Sequence, residues 1–115
     1  MAGLDVKTKR KGNALVVEIR GKVGITETPL LKQTLGELQR EEKDIVVNLA
    51  NIMYIDSSCL GALIAVRKEL EKKGLQMRLA EPSDIVRDVL RLTMLENFFQ
   101  INETEEEALQ QIKAG

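Results

Sequence analysis

Residues 44–51, Asp-Ile-Val-Val-Asn-Leu-Ala-Asn, form a short and nearly continuous apolar run. A run of this kind is expected of a β-strand covered on both faces, because a strand with one wet face alternates apolar and polar residues instead. It therefore calls for pairing strands on its edges and helices over its faces. The next segment, Asn51 to Gly74, supplies one such helix: Leu60, Leu63, Ile64 and Leu70 fall on one face, and Arg67 to Lys73 carry the charges. Gly74 is a natural C′ residue, able to take the left-handed conformation that ends a helix.

The remaining elements can be placed around this pair. Leu4–Arg10 alternates in part, Ala14–Arg20 is richer in β-branched residues, and Lys11-Gly12-Asn13 between them is turn chemistry. Together they predict a β-hairpin. Gly21–Thr26 (GKVGIT) reads as a loop or strand end. Thr28 before Pro29 predicts an N-cap followed by proline at the first helical position. Leu31, Leu35 and Leu38 make an apolar stripe, and Gln39–Lys43 closes that helix. Leu75–Ala80 alternates as a strand. Pro82-Ser83-Asp84 opens a helix with Ile85, Val86, Val89, Leu90 and Leu92 expected inside. Phe98–Ile101 is expected as a short last strand, and Thr104 with Glu107 matches a capping box starting a terminal helix through Leu109 and Ile112. Met53, Met77 and Met94 are assigned to the core. The order β-β-α-β-α-β-α-β-α predicts an α/β fold: one domain over residues 1–115, a mixed, mainly parallel sheet with an N-terminal β-hairpin and about four helices.

Composition narrows function by exclusion. There is no histidine and only one cysteine, Cys59. Histidine-activated nucleophiles and clustered zinc sites therefore have no parts to be built from. The single cysteine excludes an internal disulfide and agrees with a reducing cytoplasm. A net charge of −1, with acids and bases interleaved, carries no nucleic-acid footprint. No apolar stretch reaches the roughly 20 residues of a membrane span, and the N-terminus lacks a signal-peptide core. No Gly-rich phosphate loop of Walker type is present. These readings favour a cytoplasmic, non-enzymatic protein without cofactor or metal, and a monomer is expected because no exposed apolar surface is legible.

Asp56, Ser57 and Ser58 then stand out at the junction between the apolar strand and the amphipathic helix. Asp and Ser are ordinary N-caps, so a purely structural role accounts for their presence. A helix start at the carboxyl end of a strand in an open α/β sheet is also where sites gather, and its free N–H groups favour negative charge. Phosphate on Ser57 would add about −1.5 to −2 charge without unfolding the helix, and would change what can dock there. Gly61 and Ala62 keep the first turn shallow, which suits a partner surface or tight packing on the sheet.

The segment Tyr54–Ile64 (YIDSSCLGALI), following Ile45–Ala50 (IVVNLA), resembles the signature of STAS domains, and more narrowly the bacterial anti-sigma factor antagonists of the SpoIIAA and RsbV type. The resemblance covers essentially the whole chain. It implies a partner switch. The unphosphorylated protein would bind a kinase-like anti-sigma factor and release the sigma factor held by it. That serine kinase would phosphorylate Ser57, directly after the aspartate, and a PP2C-type phosphatase needing Mn or Mg would reverse the step. Asp56 would help present the serine, Ser58 would cap or hydrogen-bond nearby, and Leu60, with Gly61 behind it, would form the adjoining apolar contact surface. Two positions depart from the pattern: Cys59 stands where many members have Gly, with packing the favoured role, and Gly24 stands where many have an acidic residue. Two further readings stay open here: a STAS docking subunit of a transport or scaffold complex that is not phosphorylated, and a small enzyme using Ser57 or Cys59 as nucleophile.

Overall fold

A computed structural model describes residues 3–114. Strands β1 (Leu4–Lys11), β2 (Ala14–Val23), β3 (Asp44–Ile55), β4 (Met77–Ala80) and β5 (Gln100–Asn102) form one sheet in the order β1-β2-β3-β4-β5. The first pair is antiparallel and the other three are parallel. Helices α1 (Thr28–Gln39), α2 (Ser57–Lys72), α3 (Asp84–Leu92) and α4 (Glu105–Ala114) follow β2 to β5 in turn. The predicted α/β architecture, with its hairpin edge and four helices, is the one observed. Gly12, at φ 61, occupies the first position of the two-residue hairpin turn, where a side chain would be strained. Gly74, at φ 74, ends α2 as its sequence position implied.

Alternation divides the sheet into two faces. Leu15, Val17, Ile19, Ile45, Val47, Leu49, Met77 and Leu79 point to one side, where they pack with Leu31 and Leu35 of α1, Leu60, Leu63, Val66 and Leu70 of α2, and Val86 and Leu90 of α3. The opposite face carries a smaller seam of Val16, Val46 and Ala80, closed by Ala108 of α4 with Leu109 and Ile112 beside it. At about 1.5–3 kcal/mol for each fully buried large aliphatic side chain, the three-helix face supplies most of the hydrophobic stabilisation.

The doubly covered reading of β3 holds for its first half only. Ile45–Leu49 are buried, but the strand runs on to Ile55, and in this extension Ala50, Asn51, Met53 and Tyr54 are exposed. Met53 is thus not a core residue, and neither is Met94; Met77 is. Leu92 is also exposed, because α3 ends there, and Ile85 lies at the rim rather than inside. β4 begins at Met77, two residues later than the alternation suggested. The last strand is Gln100–Asn102, while Phe98 and Phe99 precede it as an edge-to-face pair against the core. Arg67 is drawn off the solvated face of α2 by that pair: its guanidinium lies 4.5 Å from the centre of the Phe98 ring.

Candidate functional site

The register brings β2 and β3 to a common end, with Val23 opposite Ile55. The Asp56 N–H donates to the Val23 carbonyl at 3.3 Å, so the loop leaving β2 and the first turn of α2 meet at that edge of the sheet. Asp56 is the N-cap of α2: its backbone is extended and its carboxylate accepts from the Ser58 N–H at 3.0 Å. The same carboxylate oxygen accepts from the Ser58 hydroxyl. That hydroxyl contact holds the Asp56 carboxyl below its ordinary value of 3.8; burial opposes the shift, and the Ser58, Cys59 and Ile25 amides add to it. An acid so occupied is a poor proton acceptor. Its role here is to cap and to orient.

The two serines therefore differ. Ser58 is half-buried and its hydroxyl is committed to Asp56 and to Thr28. Ser57, the first residue of α2, is exposed. It stands on an open surface, while a groove of about 730 Å³ lies at the other end of the sheet, between the hairpin turn and the last turns of α4.

Thr28 is not the N-cap of α1. Glu27 takes that place and Thr28 is the first helical residue, buried, with its hydroxyl 2.9 Å from the Gly24 carbonyl and 2.8 Å from the Ser58 hydroxyl. The Glu27 carboxylate accepts from the Gly24 N–H at 2.9 Å, folding back over the loop. At Gly24 itself a Cβ would sit 3.3 Å from an Asp56 carboxylate oxygen, 3.4 Å from the Tyr54 ring and 3.5 Å from Glu27. The acidic group beside the site is thus Glu27, reaching in from three residues along the chain.

Two expected contact residues, Cys59 and Leu60, lie elsewhere, while Gly61 stays on the open side. Cys59 is fully buried and Leu60 is only 2 % exposed; both face the core, so neither forms the surface beside Ser57. The reason is helical spacing: Cys59 and Leu60 lie four and three residues before Leu63, on the face of α2 that packs into the core. Burial, with the Asp56 charge adding to it, pushes the Cys59 thiol up to about 12, so at neutral pH it is a protonated packing group without nucleophilic character. Gly61 is exposed and a Cβ there would meet nothing within 4 Å, which separates it from tight packing on the sheet and leaves it on the open side.

The segments that meet at this edge carry exposed apolar residues that the sequence pattern hid. Ile25 is 76 % exposed in the β2–α1 loop and Tyr54 is 48 % exposed just before the cap, with Leu30 of α1 and Met53 of β3 exposed on the adjoining segments. A signal existed in the consecutive Met53-Tyr54 pair, which departs from strict alternation at a strand end. Among the described residues no three His, Cys, Asp or Glu side chains are placed to hold a metal ion, and no helix is long and apolar enough to cross a membrane.

These features have counterparts in known proteins. The sequence matches the STAS domain family over residues 5–108, and the chain belongs to that family. It is similar to the anti-sigma-B factor antagonist of Staphylococcus aureus, 26% identical over 101 residues, covering 87% of this chain and 94% of the relative. It is also similar to the anti-sigma-B factor antagonist of Bacillus subtilis, 25% identical over 107 residues, covering 93% and 98%. Among solved structures, an anti-sigma factor antagonist from Mycobacterium paratuberculosis superposes with a TM-score of 0.88 at 21% identity, over 96% of this chain and 94% of the other. The anti-sigma factor antagonist SpoIIAA in its unphosphorylated form gives 0.78 at 20% identity, over 96% and 98%.

Proposed function

We propose that this protein is a phosphorylation-regulated anti-sigma factor antagonist, a cytoplasmic, monomeric and non-catalytic partner switch in which Ser57 is the modified residue. One observation carries the assignment of the site: of the two adjacent hydroxyls, Ser58's is bound into the cap of α2 and Ser57's is presented to solvent at the first helical position. The anti-sigma-B factor antagonists among its relatives support the pathway over a docking subunit of a transport or scaffold complex.

In the unphosphorylated state, Ile25, Leu30, Met53 and Tyr54 offer an apolar rim to a kinase-like anti-sigma factor, with Asp56 and Glu27 as the charged centre. Asp56, Ser58 and Gly61 belong to the docking site as cap, tie and open edge; Cys59 and Leu60 support it from below. That partner transfers a phosphoryl group from ATP to Ser57, and a PP2C-type phosphatase removes it. The physics of release follows from the cap. The Asp56 carboxylate already takes the Ser58 N–H, so the chain has little with which to draw the phosphate inward. A dianion beside Asp56 and Glu27 then faces the partner, where desolvation and like-charge repulsion oppose docking, and each ~1.4 kcal/mol weakens binding tenfold.

The test is intact mass and phosphopeptide mapping of the protein from its own cells, beside Ser57→Ala. A single phosphate on Ser57, absent in the variant, is the expected result. Phosphate on Ser58, or none under growth, stress and stationary conditions, overturns the assignment.

A further inference from the structure

Thr28 is one of two buried polar residues among the described ones, and both partners of its hydroxyl lie in the site. Hydrogen counting fixes the direction of the chain of bonds. The Asp56 carboxylate, held ionised, only accepts, so Ser58 gives its hydroxyl hydrogen to Asp56. The Gly24 carbonyl also only accepts. Thr28 therefore supplies the one hydrogen left for both its contacts, shared between the Gly24 carbonyl and the Ser58 oxygen. A single buried hydroxyl thus joins three segments: the loop that carries Ile25, the start of α1, and the cap that carries Ser57. The Glu27 and Thr28 N–H groups both donate to the same Gly24 carbonyl, at 3.1 and 3.0 Å, so the loop is gathered at the point Thr28 holds.

We propose that Thr28 is a positioning residue for the Ser57 site, its hydroxyl locking the β2–α1 loop to the α2 cap so that the apolar rim and the modified serine keep one relative placement. The inference rests on the reading of Ser57 as the modified residue. Nothing in the tie reaches Ser57 directly; it acts through Ser58 and Asp56. A valine at this position fills the same space and removes the hydrogen, while a serine retains it.

The experiment compares the full-length wild type with Thr28→Val, Thr28→Ser and Ser58→Ala by residue-resolved amide hydrogen exchange. In Thr28→Val the Ser58 and Leu60 amides exchange about tenfold faster, the loss of one buried hydrogen bond read as opening, with α4 and the β1–β2 hairpin unchanged. Thr28→Ser restores protection. Ser58→Ala, cutting the tie from its other end, loosens the Glu27 and Thr28 amides in the loop. The phosphorylated fraction of each variant from its own cells falls in Thr28→Val and recovers in Thr28→Ser. Unchanged exchange at Ser58 and Leu60 in Thr28→Val, or equal loosening in Thr28→Ser, overturns the proposal. If wild type carries no phosphate on Ser57, the reading of the site fails, and the exchange comparison still decides the tie.

Discussion

The starts of α2 and α4 differ in where their partners come from. Both helices begin after a strand and both open with acidic and hydroxyl residues. At α4 a local cap, the Glu107 N–H donating to Thr104 at 3.1 Å, is joined by bonds that tie the first helical residue to distant parts of the chain: the Glu105 N–H donates to Glu81, and the Glu105 carboxylate takes Asn48 at 3.1 Å and Lys11 at 3.2 Å, with Lys9 at 3.6 Å. At α2 the capping bond is local, from Asp56 to Ser58, while the Val23 carbonyl, the Ile25 amide and the Thr28 hydroxyl reach the cap from other segments. Ser57 is left outward. A helix start consumed by tertiary bonds is a clasp for the fold; one capped from within can carry a chemical signal on its surface without disturbing what lies beneath.

Four changes sharpen or break that contrast. The largest effect is expected beneath the α2 start: Leu60→Ala removes a buried side chain and should cost about 2–5 kcal/mol in urea unfolding. A cost within the range of surface substitutions would place Leu60 on the docking surface after all. Glu105→Gln comes next, at about 1–2 kcal/mol, because it weakens a half-buried clasp to two lysines and Asn48. The loss should be partly mimicked in wild type by high salt; equal stability of variant and parent at low salt would remove the clasp.

Asp56→Ala should cost about 1 kcal/mol, the usual worth of an N-cap. The sign of its pH dependence is fixed by the direction of the shift. The folded Asp56 carboxyl lies below its ordinary 3.8, so its stabilisation is present above that value and is lost as pH falls through the folded pKa. Glu105 behaves alike from 4.5 downward: burial raises its pKa, but hydrogen bonds from Asn48 and Lys11 and the two lysine charges outweigh it. Acid unfolding curves should therefore flatten in Asp56→Asn and again in Glu105→Gln, and a slope unaltered by both substitutions would contradict the sign. The smallest effect is expected at the signal residue itself. Ser57→Ala should change stability by no more than about 0.5 kcal/mol, since Ser57 is exposed and its hydroxyl bonds to nothing among the described residues; a larger loss in thermal unfolding would make it part of the cap.

Much of this was legible in the residues. Period-2 and period-3.6 patterns placed every element, the hairpin turn and Gly74 punctuated them, and the Asp56-Ser57-Ser58 step marked the junction. Those signals are local, set by backbone conformation and by which face of one element must be dry. Errors fell where neighbours decide. Met53, Met94 and Leu92 are apolar and so point to the core in the sequence, yet β3 outruns the helices over it and α3 ends at Leu92. Leu60 read as a contact residue because it follows the motif, yet the turn of α2 drives it into the core.

By itself the sequence determined the α/β order and the position of the two serines. The tertiary structure alone decided which hydroxyl is free. Ser58 gives its hydrogen to Asp56 within the cap, and its oxygen meets Thr28, thirty residues away along the chain and 2.8 Å away in space; no periodicity encodes that second bond.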